Sequence, residues 1–330
     1  MPDAAPPQGN SALAFGPIPS RRLGRSLGVN NIPAKICTYS CVYCQVGRTT
    51  AMPLERRAYY APEEVFAAVQ AKLENARRLG AAADYVTFVP DGEPTLDANL
   101  GAELDLLRPL GVPLAAISNA SLISREDVRA DLSRADWVSL KADAVDEATW
   151  RRLNRPHGKL RLEPILAGVR AFAREFRGTL ATETMLVRGV NEAPGHVEAV
   201  AALLAEVKPA TAYLAVPTRP PAAEAVEPPT AESVARAYEM FVSAGLRTEL
   251  LLGYPTEPFA YTGDVEADIL SITAVHPMRE EAVAELLAKA GAGREAVERL
   301  VAAGLVAAVE FEGRKFFVRR FEKGVRDGGN

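Results

Sequence analysis

The chain has almost no cysteine: three in 330 residues, at Cys37, Cys41 and Cys44. Disulfide scaffolds use even, dispersed cysteines, so this pattern excludes a disulfide-stapled secreted protein and predicts a reducing, cytoplasmic setting. Histidine is as scarce, with His157, His196 and His276 alone, none close to the cysteines in sequence. No apolar run approaches the roughly 20 residues that cross a bilayer, so no membrane association is expected. Residues 1–10 carry neither a basic n-region nor an apolar h-region, and no signal peptide is expected. An excess of positive charge is also missing. The 38 Lys and Arg face 42 Asp and Glu, which excludes a nucleic-acid binder held by bulk charge and leaves only local basic patches. There is no tandem repeat of 20–50 residues. What remains is globular: 48% hydrophobic and 24% charged residues, in a chain long enough for two domains or one large α/β barrel with an appendage.

Residues 1–16 are rich in Pro, Ala, Gly and Asn and read as a flexible N-terminal segment. Strand-like runs then alternate with amphipathic stretches. Strands are expected at 26–30, 85–89, 113–118, 137–140, 179–186, 212–216 and 249–252. Helices are expected at 62–79, 97–107, 125–133, 162–176, 196–207 and 232–244. Six such alternations predict a parallel sheet with right-handed crossovers, open or barrel-like. From about residue 264 the pattern changes to helices at 279–290 and 293–303, then two β-like runs at 306–311 and 315–319. That order is the layout of a winged-helix domain. The predicted division is a barrel over 17–262, a small winged-helix-like domain over 263–322 and a tail over 323–330.

The cysteines are spaced C-x3-C-x2-C within Cys37-Thr38-Tyr39-Ser40-Cys41-Val42-Tyr43-Cys44. Three thiolates on one tight loop suit three corners of a [4Fe–4S] cube and leave the fourth iron open for chemistry. A pure electron carrier would close that corner with a fourth cysteine, and the chain has none. The rival is a Cys3His zinc site, for which His157 would have to fold back.

This motif, with an aromatic residue before the last cysteine, resembles that of the radical S-adenosylmethionine (SAM) superfamily. The stretches from Phe15-Gly16-Pro17 to Gly28 and from Cys44-Gln45-Val46 to Thr50 resemble its wyosine-synthase-like branch. The resemblance implies a partial (β/α)6 TIM-like barrel. It also implies a [4Fe–4S] cluster on Cys37, Cys41 and Cys44, with SAM chelated to the open iron. A one-electron donor of flavodoxin or ferredoxin type would drive SAM cleavage to a 5′-deoxyadenosyl radical. It further places Tyr43, Gly92, Glu93, Pro94, Ser118, Asn119, Ser139 and Glu183 around SAM. Asp91-Gly92-Glu93-Pro94 is similar to the branch's G-G-E motif, with Asp91 in the first glycine's place. Strand alternation puts Ser139, Lys141 and Asp143 on one face. If that face is inward, Lys141 is a candidate catalytic residue, holding a carboxylate or forming a Schiff base, unless Asp143 or Glu183 pairs with it. Asn154-Arg155-Pro156-His157 resembles an N-R-P-x stretch of the same branch, with Arg155 or His157 as the pocket-facing candidates.

The substrate is not legible, with RNA or protein as the classes in view. No cysteine follows Cys44, so a second three-thiolate cluster is excluded, which argues against wyosine synthesis itself. Arg21, Arg22 and Arg25 form one small basic group and Arg314, Lys315, Arg319, Arg320, Lys323 and Arg326 another. The rival function is a winged-helix nucleic-acid-binding protein using the cluster as a redox sensor.

Overall fold

The structure is a computed structural model that describes residues 13–223, 225–253 and 259–320. Seven strands run parallel and side by side in chain order: β2 (Gly24–Val29), β3 (Tyr85–Phe88), β4 (Leu114–Ser118), β5 (Trp137–Lys141), β6 (Thr179–Met185), β7 (Thr211–Ala215) and β8 (Thr248–Leu251). An antiparallel strand, β1 (Ala14–Ser20), edges the sheet beside β2. The sheet curls into a half-barrel. The crossovers carry α1 (Pro62–Arg78), α2 (Leu100–Leu107), α3 (Glu126–Leu132), α4 (Glu147–Asn154), α5 (Leu162–Glu175), α6 (Pro194–Val207) and α7 (Ala231–Ser243). Proline opens α1 and α6, where its missing N–H is no loss. The Asp146 and Thr230 side chains cap α4 and α7.

Alternation along the strands makes two cores. Val86, Phe88, Leu114, Val138 and Leu140 face outward onto Val69, Leu104, Val169 and Phe172 of the helices. Ala115, Trp137, Ala181 and Tyr213 face inward, and the space between them is filled by Leu23 from the β1–β2 turn and by Val42 and Tyr43 from the loop before α1. The turn also spans the sheet's two edges, where Arg21 Nη1 donates to the Gly253 carbonyl just beyond β8 at 3.0 Å.

Beyond the barrel come α8 (Val265–Val275), β9 (Met278–Arg279), α9 (Glu280–Ala290), α10 (Glu295–Ala302), β10 (Val306–Phe311) and β11 (Arg314–Arg319), with sheet order β10–β11–β9. Ile269, Ile272, Met278, Leu286, Val297, Leu300 and Phe317 form their core. Phe259 and Tyr261 join it, so residues placed with the barrel by sequence pack here, and Ile18 of β1 leans on the same cluster.

The predicted strands and helices appear close to their expected bounds, and α4, β1, α8 and β9 are not among the expected ranges. Pro17 and Pro19 argue against a strand, but β1 is an edge with a register shift between Phe15 and Ile18, where proline is tolerated. It starts at Ala14, inside the segment read as a flexible lead-in. In α8, Ile269, Leu270 and Ile272 do not fall on one stripe, so no 3.6-residue period shows. The two-residue β9 is too short to leave a pattern. Residues 1–12 and the tail over 323–330 lie outside the described residues.

One polar pair is buried in the outer core. Asp97 and Glu103 are both fully buried at the head of α2. Burial pushes Glu103 above its ordinary value of 4.5, and the Asp97 charge pushes it further; burial raises Asp97 as well. A carboxylate raised in the folded state stabilises fully below its unfolded value and loses that contribution as pH rises. Stability is therefore expected to fall from about pH 5 through neutral. In Glu103→Gln this fall should flatten, by on the order of 1–3 kcal/mol in urea unfolding at pH 8 relative to pH 5. Parallel wild-type and variant curves would contradict it.

Candidate active site

The cysteines lie on a loop with no helix of its own, between β2 and α1. Such a stretch stays buried only if its peptide groups find partners, and the strand ends supply them. The Lys35 amide donates to the Asp91 carbonyl at 2.7 Å, and the Glu93 amide donates to the Ile36 carbonyl at 3.1 Å. On the other flank the Ser40 amide reaches the Asn154 and Arg155 carbonyls, Val42 reaches Leu153 at 2.9 Å, and His157 donates to Thr38 at 2.9 Å. The Asn154-Arg155-Pro156-His157 stretch is therefore a rail for the cysteine loop. Arg56, near the loop's end, donates to the Thr95 and Asp97 carbonyls at 2.9 and 2.7 Å and pairs with Asp127 and Asp131.

Gly92 has a specific reason to be glycine. A Cβ there would sit 2.0 Å from the Ile36 carbonyl oxygen. The group that approaches Gly92 so closely is the cysteine loop's own backbone. Asp91, in place of the branch's first glycine, meets Lys35 Nζ at 2.7 Å. Burial pushes its carboxyl up to about 6 against the pull of Lys35. Lys35 itself adopts a left-handed backbone at φ 66°.

Glu93 is buried, and its carboxylate is fully engaged by protein. Oε1 accepts from the Thr95 amide at 3.1 Å, Thr95 Oγ1 at 2.6 Å and Ser118 Oγ at 2.8 Å; Oε2 accepts from the Asn119 amide at 2.7 Å. Burial pushes its pKa up and these bonds oppose the shift. Glu93 and Ser118 thus lock the ends of β3 and β4 together. Pro94 is buried, and its carbonyl accepts from Asn31 Nδ2 at 3.2 Å. Asn119 points at the cysteines: Nδ2 donates to Thr38 Oγ1 at 2.9 Å and to Cys37 Sγ at 3.4 Å.

Ser139 and Lys141 lie inward on β5, and Glu183 lies inward on β6 as the register partner of Lys141. Lys141 Nζ donates to Glu183 Oε1 at 2.5 Å, and Arg22 from the β1–β2 turn takes Oε2. The ion pair named as the alternative in the sequence is the one formed. Burial lowers the Lys141 pKa, opposed by the nearby Asp143 charge. Its ammonium lies 4.9 Å from the centre of the Tyr43 ring. Tyr43 donates its hydroxyl to Asp143, and Asn154 Nδ2 reaches Asp143 Oδ2 at 2.8 Å, Tyr43 at 3.0 Å and Cys41 Sγ at 3.5 Å.

The structure therefore gathers Cys37, Glu93, Ser118 and Asn119 on one side of the loop and Cys41, Tyr43, Lys141 and Glu183 on the other. Ser139 is buried on the inner face with Lys141. Asn154 is the residue the sequence passed over: its motif was noted, but Arg155 and His157 were its favoured members. Arg155 is exposed at the end of α4, and His157 Nδ1 accepts from the Lys159 amide at 3.2 Å.

Burial pushes all three thiols up, Cys41 to about 12. The Glu93 charge adds to the effect at Cys37, and the neighbouring Cys44 adds to it at Cys41. Thiols in such surroundings become thiolates when bound metal supplies positive charge. Among the described residues no three His, Cys, Asp or Glu side chains are already grouped to hold a single metal ion. Three half-buried thiols on one loop, two facing amide donors, fit an iron–sulfur cube.

Gly92→Ala tests the splice between loop and strand. Its Cβ meets backbone, which cannot rotate away, so Ile36 and with it Cys37 must shift. Iron bound after anaerobic reconstitution should fall at least about tenfold, a change of about 1.4 kcal/mol, while the far-ultraviolet circular dichroism is retained. Full iron content in the variant would contradict this reading.

Residues 31–204 match the model of the Radical SAM superfamily. The chain is 43% identical over 315 residues to the UPF0026 protein MJ1312 of Methanocaldococcus jannaschii, covering 94% of this chain and 97% of that one. A UPF0026 protein of Helicobacter pylori strain 26695 is 34% identical over 215 residues, 64% of this chain and 68% of that one. A radical SAM methyltransferase from Sphaerobacter thermophilus shares the fold at a TM-score of 0.52, with 17% identity, over 68% of this chain and 66% of that one. Radical SAM enzymes need a reductant and act on a further substrate. The chain belongs to the Radical SAM superfamily and is an enzyme of SAM-dependent radical chemistry whose cofactors are a [4Fe–4S] cluster and SAM.

Proposed function

We propose that Cys37, Cys41 and Cys44 hold one [4Fe–4S] cluster at which SAM is reductively cleaved to start radical chemistry on an RNA or protein substrate. The observation that carries this is the cysteine loop itself, fastened across the ends of β3 and α4 with its three thiols half-buried. When bound, cluster and SAM supply an adenosyl-derived radical; the protein orients it and excludes water. Glu93, Ser118 and Pro94 act through the backbone they fix, shaping the Gly92–Glu93 turn that receives SAM. Asn119, Tyr43, Ser139, Lys141 and Glu183 are the side chains offered toward the bound cofactor. The engagement of Lys141 by Glu183 favours a charge-holding role over covalent catalysis, because an ion-paired ammonium is a poor nucleophile.

The single-cluster, wyosine-synthase-like branch is our reading of the motifs around residues 15–28 and 44–50, with a flavodoxin- or ferredoxin-type donor in the cytoplasm. We read residues 263–322 as a winged-helix-like unit on the barrel of 17–262; the order helix, strand, two helices, hairpin, with β9 beside β11, supports it. Three of its basic side chains have acidic partners: Arg294 and Lys315 meet Glu280, and Arg299 meets Glu266. Paired charges have less to give phosphates, which favours a packing or protein-contact role over the nucleic-acid sensor.

Anaerobic reconstitution with iron and sulfide, then dithionite and SAM, tests the proposal. The expected result is about four irons per chain and 5′-deoxyadenosine or another SAM fragment by mass spectrometry. Cys41→Ser should reduce that turnover by at least about 100-fold, the loss expected when a cluster corner goes. A cluster that leaves SAM intact and confers cluster-dependent DNA binding would replace this function with the sensor.

A further inference from the structure

The two asparagines beside the cysteine loop hold corresponding positions. Each stands between a buried carboxylate and a cysteine sulfur. On one side, Glu93 Oε2 accepts the Asn119 amide at 2.7 Å, and Asn119 Nδ2 donates to Cys37 Sγ at 3.4 Å. On the other, Asn154 Nδ2 donates to Asp143 Oδ2 at 2.8 Å and to Cys41 Sγ at 3.5 Å. Glu93, Asp143 and Asn154 are all at most 4% exposed, so the Asn154 dipole works away from bulk water, and Asn119 is half-buried.

Their orientation is fixed from behind. Asp143 Oδ1 accepts the Met185 amide at 2.8 Å, and the Tyr43 hydroxyl gives its own proton to Oδ2. With that proton committed, Tyr43 Oη is left to accept, and the two Asn154 amide hydrogens are shared among Asp143 Oδ2, Tyr43 Oη and Cys41 Sγ. Asn119 Oδ1 accepts the Ser121 amide at 2.9 Å, which turns its NH2 group toward Thr38 and Cys37. Cys44 is surrounded differently, with the Lys35 and Lys141 charges nearby.

We propose that Asn119 and Asn154 are positioning residues that set the cluster's reduction potential through their N–H···S bonds to Cys37 and Cys41. The inference rests on the cluster-bearing function proposed above. An added electron raises negative charge on the cysteine sulfurs, so a donor to sulfur stabilises the reduced state more than the oxidised one. The Asn154 side-chain amide also binds the Asp143 carboxylate, and the Asn119 backbone N–H binds the Glu93 carboxylate, which partly offsets charges that oppose reduction. Both effects raise the potential and ease electron entry.

The test is an EPR-monitored redox titration of the anaerobically reconstituted full chain, without SAM, for wild type, Asn119→Leu and Asn154→Leu. Each leucine keeps the branched outline and removes the donor. Each variant with full iron content should be about tenfold harder to reduce, a shift of about −59 mV for one electron. Asn154→Gln, which keeps an amide donor, should recover part of the shift. Wild-type chain carrying 15N in its asparagine side chains should show a nitrogen coupling to the reduced cluster by pulsed EPR, a readout independent of variant folding. Unchanged potentials at full iron content, or no such coupling, overturn the inference while the function stands. A wild-type chain that takes up no cluster overturns the function and this inference with it.

Discussion

The active end of the barrel depends on main-chain hydrogen bonds that splice an irregular loop into the ends of regular strands. The loop brings three thiols, yet it has no helix or sheet ladder of its own in which to bury its peptide groups. Its partners are the Asp91–Glu93 turn after β3 and the Leu153–His157 stretch after α4. Each such bond contributes only about 0.5–1.5 kcal/mol net, and an orphaned buried one costs more than that. The cysteine geometry is therefore a property of several elements at once. Those elements are held by the barrel's outer core, which makes the cysteines rigid without a disulfide.

Most of the other features follow from that splice. Gly92 is bare because a carbonyl passes over it. Lys35 accepts a left-handed backbone, at about 1–2 kcal/mol, where its ammonium can meet Asp91. Glu93 is internal because it ties β3 to β4 beneath the loop. Inside the barrel, Tyr43 and Val42 complete the inner core, so the same loop that carries sulfur also closes hydrophobic space. Arg22, Glu183 and Lys141 form a buried charge row that meets Tyr43. A buried ion pair is weak evidence for stability. What it supplies here is a fixed polar wall beside the cysteines.

Much of this was legible in the sequence, for identifiable reasons. Parallel strands such as 114–118 are mostly apolar on both faces and bounded by turns, so they stand out. The spacing of Cys37, Cys41 and Cys44 is specific enough to name a chemistry. Alternation put Ser139, Lys141 and Asp143 on one face and left open whether that face is inward. What stayed hidden involves partners distant in sequence. Nothing near Gly92 reveals that Ile36 lies on it, and nothing near Asn154 reveals Cys41 and Asp143. The prolines of β1 and the unstriped helix α8 hid for the opposite reason: local rules applied, and an edge position, or a buried face that includes Asp268 and Thr273, overrode them.

The central claim is that protein contacts build the cysteine loop before any metal arrives. Amide hydrogen exchange of the metal-free chain, read residue by residue at Ser40, Val42, Glu93 and His157, tests it most directly. The account predicts that these four amides exchange at least about 100-fold more slowly than an unprotected chain, protection worth about 2.7 kcal/mol, with little change on cluster loading. Exchange at unprotected rates until iron and sulfide are added would show instead that the cluster folds the loop, and would contradict the account.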